Sequence, residues 1–122
     1  DREAEAMSVA VAKQLCPKPV APVLWRYDDV ADHWDALTLR AWAVIDGKRQ
    51  AYQAGTLAEL LPPETLLAGA GGLAPGTVLF CGTLPVRGGI RPAERFEMAL
   101  HDPVHGRRIA HGYDVEALPA VS

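Results

Sequence analysis

Cysteine is scarce in this chain: Cys16 and Cys81 are the only two in 122 residues. They share no paired spacing of the kind that binds zinc or runs disulfide exchange, and they read as two thiols kept reduced in a cytosol. Aromatics are few, at 7%. Basic residues are in no excess: 12 Lys and Arg stand against 15 Asp and Glu, interspersed, for a net charge of -3. That leaves no basic stripe for phosphate backbones and no polybasic anchor, which argues against nucleic acid and membrane partners. No apolar run approaches the roughly 20 residues that span a bilayer. The expectation is a soluble, cytoplasmic protein.

What is present is the makeup of an ordinary globular domain. The chain is 49% hydrophobic and 22% charged, with a mean hydropathy of +0.03, values that oppose disorder. Residues 1–122 are the length of a single domain. The first residue is Asp, and "DREAEAMSVAVAKQ" is already in helical register. The expectation is that 1–122 forms the C-terminal portion of a larger domain.

Residues 1–13 lack Gly and Pro and read as a helix; "CPKPVAP" follows as an extended connector, with Pro17, Pro19 and Pro22 opposing helix. "VLWR" is a short strand candidate, and "YDDVADHWD" a loop or single turn. Asp46-Gly47 splits "ALTLRAWAVIDGKRQAYQ" into a hairpin. Thr56 opens a helical turn, Pro62-Pro63 breaks it, and a short helix from Pro63 ends at Gly71-Gly72. Pro75-Gly76 predicts a type II turn before a strand over 77–81. "RFEMALH" alternates Phe96, Met98 and Leu100 with polar or small residues, predicting a strand with one buried face that pairs back with "RRIAHGYDV" across the "DPVHG" turn. Strands outnumber helices, so the class is mainly β (α+β).

Three stretches, taken in order, resemble the C-terminal half of the fumarylacetoacetate hydrolase superfamily, closest to its bacterial branch known as domain of unknown function family 2848. "DREAEAMSVAVAKQLCPKPVAP" is similar to a superfamily segment with an arginine-bearing helix, a lysine and a proline-rich run. Arg2 matches the arginine and Lys13 the lysine, with Lys18 as rival. Glu3 and Glu5 stand where Asp and Gln are usual. "ALTLRAWAVIDGKRQAYQAGTLAELL" is similar to the superfamily's hairpin, with Gln53, Gly55 and Thr56 matching. "LAPGTVLFCGTLPVRGG" resembles "L-x-P-G-D-v-I-x-T-G-T-P-x-G-v-G"; Gly82-Thr83 match its Gly-Thr, and Thr77 replaces an Asp. The resemblance implies a mixed β-roll with short peripheral helices, incomplete here at its N-terminus, and a homodimer. It also implies a divalent cation, Mg²⁺ or Ca²⁺, bound through a Glu-x-Glu pair and an Asp that would lie upstream of Asp1. The "EAE" of Glu3–Glu5 is not read as that pair, because helical spacing sends the two side chains to different faces.

The activity so implied is that of a metal-dependent hydrolase or lyase acting on a small-molecule oxo- or diketo-acid, by carbon–carbon bond hydrolysis, decarboxylation or hydration. The fragment itself is expected to be inactive. By analogy Lys13 and Thr83 are catalytic, while Arg2, Gly82 and Arg87 bind substrate. Each residue also has an ordinary reading: Lys13 as a solvated helix-end lysine, Thr83 as a turn hydroxyl, Arg2 as a surface ion-pair partner. Arg87 and Arg91 flank Gly88-Gly89, where guanidinium and loop N–H groups could meet an anion. His101, His105 and His111 could converge across a hairpin, but "HDPVHG" reads first as a turn. His33 beside Trp34 reads as a packing or surface pair. The alternative is a noncatalytic β-rich binding or assembly module.

Overall fold

The computed structural model describes residues 16–117. Two hairpins carry it. In the first, β1 (Thr38–Ile45) and β2 (Lys48–Thr56) meet at Asp46-Gly47. Both turn residues have positive φ, 51° and 73°, the backbone that a tight two-residue hairpin demands and that Asp and Gly tolerate. In the second, β3 (Arg95–Asp102) returns as β4 (Arg107–Asp114). Strand β1 pairs with both β2 and β3, giving the order β2-β1-β3-β4, and every pairing is antiparallel. The class is therefore mainly β: an open four-stranded antiparallel sheet with a few short helices. Mixed pairing and closure into a roll are not features of the described strands.

Register explains which residues are inside. Leu39, Ala41 and Ala43 lie opposite Leu100, Met98 and Phe96, which in turn lie opposite Ile109, His111 and Tyr113. With a side-chain period of two, this is one continuous face, and Ala41 and Ala43 are buried on it. Leu37, just ahead of β1, joins Val30 and Leu57 in a core cluster with Trp25, Trp34, Leu39, Leu60 and Leu100 packed around it. The opposite face is half covered by long polar side chains. The Arg49 guanidinium lies 3.9 Å from the centre of the Trp42 ring and bonds Glu97 at 3.1 Å, while Arg95 reaches Asp114 at 3.0 Å. This cover leaves β3 half-buried on both faces, where simple alternation predicts one wet face.

Because β3 docks on the far side of β1 from β2, the chain between them must cross over. A 3-10 turn (Leu57–Glu59) and helix α1 (Pro63–Gly69) begin the crossing. Thr56 and Glu59 form a capping box, with Thr56 N–H donating to Glu59 Oε2 at 2.8 Å. Pro63 opens α1, where its missing N–H costs nothing. Two expected strands are not formed. Residues 77–81 have no ladder partner among the described residues, and Val78 and Phe80 stand exposed. Apolar residues in an extended run cannot specify a neighbour. Residues 23–26 are likewise unpaired, and Trp25 instead lies under the Arg107 guanidinium, 4.6 Å from ring centre to Cζ. Two 3-10 segments, Tyr27–Asp29 and Ala31–Ala36, form where a loop or single turn is expected. No described helix is long and apolar enough to cross a membrane.

Candidate functional site

The hairpin stretch that carries Gln53 and the crossing stretch that carries Gly82-Thr83 converge through one irregularity in β2. Ala41 pairs with Gln53 but Trp42 pairs with Ala51, so Tyr52 is an extra residue, a β-bulge. Neighbours in a regular strand face opposite sides; here Tyr52 and Gln53 are both buried, because the bulge re-aims the strand. Gln53 Nε2 donates to Thr83 Oγ1 at 2.7 Å and to the Leu84 carbonyl at 2.6 Å. Leu84 itself is buried and, with Arg87 N–H donating to the Tyr52 carbonyl at 2.7 Å, pins the loop to the bulge. Thr83 is exposed. Its oxygen accepts from Gln53, so its own hydrogen is free to be donated outward. Gly82 has φ of 100° with nothing within 4 Å of where a Cβ would be; the glycine is needed for backbone shape, not for space.

The two loop arginines divide. Arg91 is turned inward: Nη1 donates to the carbonyls of Arg87 at 2.7 Å and Gly89 at 2.9 Å, and its guanidinium stands 5.0 Å from the Tyr52 ring centre. It holds the loop. Arg87, four positions after Thr83 on the same tethered loop, has an exposed side chain. Arg2 and Lys13 lie outside the described residues. Cys16 and Cys81 are free thiols.

A second cluster sits at the far end of β3. Asp102 continues the parity of Phe96, Met98 and Leu100, so a carboxylate occupies the core face, with 0% of its surface exposed. Oδ1 accepts the N–H groups of Val104 and His105 at 3.0 and 3.2 Å, and Oδ2 meets His105 Nδ1 at 2.7 Å and Arg107 Nε at 3.3 Å. From the 3-10 segment, His33 Nε2 approaches Oδ1 to 3.0 Å, but too obliquely for a well-formed hydrogen bond, so that contact is chiefly Coulombic. Burial alone would raise the Asp102 pKa; the His105 and His33 contacts and the two backbone donors outweigh it and hold the carboxyl well below its usual range. Asp102 in turn raises the His33 pKa, against the lowering effect of burial and with help from Asp32. His101 and His111 are elsewhere, opposite Arg108 and Met98; "HDPVHG" is a turn, as expected, and the residues that converge at it are His33, Asp102 and His105.

The family of proteins of unknown function DUF2848 matches residues 1–113. The chain belongs to that family. No curated protein and no solved structure matches it. Within the DUF2848 chain, the match covers both clusters. The cation that the wider resemblance implies takes oxygen ligands. Among the described residues the one convergent trio of ligands carries two imidazoles, a donor set that does not fit Mg²⁺ or Ca²⁺.

The sequence signal for the second cluster was the parity of Asp102: a carboxylate following three apolar residues at a spacing of two, with His105 three positions on. Nothing in spacing announces His33, which the fold brings in from 69 positions away (Asp102 less His33).

Proposed function

We propose that this DUF2848 chain contributes the oxyanion-binding wall of a hydrolase or lyase acting on an oxo- or diketo-acid, with Thr83 donating its hydroxyl to a substrate carboxylate or carbonyl and Arg87 supplying the opposing charge. The observation that carries the reading is the Gln53–Thr83 bond at 2.7 Å. It joins two stretches, 30 positions apart, that resemble the superfamily separately. A hydroxyl fixed by a buried amide, on a loop pinned to a bulge, is a preorganised donor, and such donors stabilise charge that develops in a transition state. The reading extends to a roll-like whole, a homodimer, a cytoplasmic setting, and catalytic metal ligands, Lys13 and Arg2 supplied from outside the described residues. No step is routed through that metal here.

The test is a screen of oxo- and diketo-acids for turnover by the protein carrying the implied upstream ligands, alongside Lys13→Ala and Thr83→Ala. Loss of about 2.7–4 kcal/mol of transition-state stabilisation is the scale for one such donor. Turnover untouched by both changes overturns the assignment. A second reading, a noncatalytic assembly module, is favoured by one observation: Val78, Phe80 and Ile90 are 73%, 66% and 59% exposed around the same loop. Absence of turnover with retained self-association through those residues would support it.

A further inference from the structure

We propose that His33, Asp102 and His105 form a site for a first-row divalent transition ion, with zinc as the reference ion. The inference is independent of the reading of Thr83. It starts from hydrogens. His33 Nδ1 lies 3.0 Å from Asp32 Oδ1, and a carboxylate can only accept, so Nδ1 carries the hydrogen. His33 Nε2 lies 3.0 Å from Asp102 Oδ1, so a positive group, a proton or a metal cation, belongs between this nitrogen and the buried carboxylate. A proton on Nε2 serves poorly, because the approach is off the line of a hydrogen bond and Nε2 remains a buried atom without a proper partner. A cation bound by both atoms needs no such alignment.

The surroundings fit an ion as well. Asp32 on the outer nitrogen of His33 is the carboxylate–histidine arrangement that orients imidazoles toward metals. His105 Nδ1 donates to the other Asp102 oxygen at 2.7 Å, and an ion taking that nitrogen would displace its hydrogen; the two imidazole rings stand edge to face with centres 5.1 Å apart. One nitrogen from each and a carboxylate oxygen lie within 4.8 Å of one another, close enough for a single small ion. Two imidazoles with one carboxylate select zinc and its neighbours over magnesium or calcium. His105 is exposed on the turn, and the His33 ring borders an open depression of about 280 Å³ with Tyr27, Trp34 and Glu64, while His33 Nε2 and the Asp102 carboxylate are themselves buried. Arg107 shares Oδ2 through the longest contact, at 3.3 Å, and its Nη2 is also buried without a partner, so it can yield part of the carboxylate without losing a tight bond.

Bound there, the ion would clamp the β3–β4 turn to the 3-10 segment. The test is titration of the 122-residue chain with zinc chloride, read by calorimetry and by imidazole proton NMR. The expected result is one ion per chain, with ring signals of His33 and His105 shifting and those of His101 and His111 unmoved. His105→Ala should weaken binding by about tenfold or more, while His101→Ala and Thr83→Ala leave it unchanged. Cobalt substitution should give visible bands from imidazole ligation. Absence of binding, or binding whose NMR shifts fall on His101 or His111, overturns the proposal without reference to any variant's folding.

Discussion

The turn after β3 and the glycine-rich crossing over 77–91 are both loops, yet they are held in opposite ways. The first surrounds a fully buried carboxylate with two backbone N–H groups, two histidines and an arginine. The second has no ladder partner over 77–81 among the described residues, carries exposed Val78 and Phe80, and is fixed through the Gln53 amide, buried Leu84, one backbone bond to the bulge and the Arg91 side chain. The family-like motif residues fall on the lightly held loop. The densely held one carries no motif. Rigid anchoring belongs to the sheet end, while the loop keeps a single donor, Thr83, in place and leaves the rest open to solvent, as ligand-contacting segments tend to be.

The contrast can be broken most severely at Asp102. Asp102→Ala leaves His105, Arg107 and two backbone donors without their acceptor, and it is expected to lower Tm by about 10 °C or more, read by calorimetry. Thr83→Ala, at the exposed loop, should shift Tm by no more than about 2 °C. A smaller Asp102 effect than Thr83 effect would reverse the comparison. Next is Leu37→Ala, which removes a side chain only 1% exposed from the Val30–Leu57 cluster and should cost about 2–5 kcal/mol in denaturant unfolding. Gln53→Ala frees the Leu84 carbonyl and Thr83 together and should cost about 1–3 kcal/mol. Its distinctive sign is faster amide exchange confined to the loop over 82–91, with the Asp102 turn unchanged.

The smallest effect concerns Tyr27, whose hydroxyl donates to Glu64 across the depression. That bond lowers the Glu64 pKa from its ordinary 4.5 and raises the Tyr27 pKa from 10.0. A lowered carboxyl contributes stability above its ordinary value and loses it as pH falls through the lowered one. A raised phenol contributes below its ordinary value and loses it as pH rises further. The contribution therefore spans roughly pH 5 to 10 and is slight, because both groups are exposed. Tyr27→Phe should flatten the difference, seen by comparing Tm at pH 3, 7 and 11.

Much of the sheet was legible before the structure because its signals are local. Asp46-Gly47 fixes one hairpin, the period of Phe96, Met98 and Leu100 fixes a strand, and Pro63 with Gly71-Gly72 bounds α1. Local signals do not name partners. The run over 77–81 has strand composition but no ladder partner among the described residues, and Trp25 of residues 23–26 meets Arg107. The candidate site divided along the same line. Gly82-Thr83 and Gln53 were recognisable from their own stretches, but their contact depends on a bulge at Tyr52, which only pairing with β1 defines. Asp102 and His105 were visible as a turn; His33 reached them through tertiary packing of the 3-10 segment on the core.

The central claim is that Thr83, fixed by Gln53, is a substrate-facing donor. Amide proton–nitrogen correlation NMR of the chain titrated with acetopyruvate tests it most directly. The account predicts saturable shifts at Gly82, Thr83, Leu84 and Arg87 that are lost in Thr83→Ala while the rest of the spectrum holds. Shifts that fall elsewhere, or that survive Thr83→Ala unchanged, would contradict it.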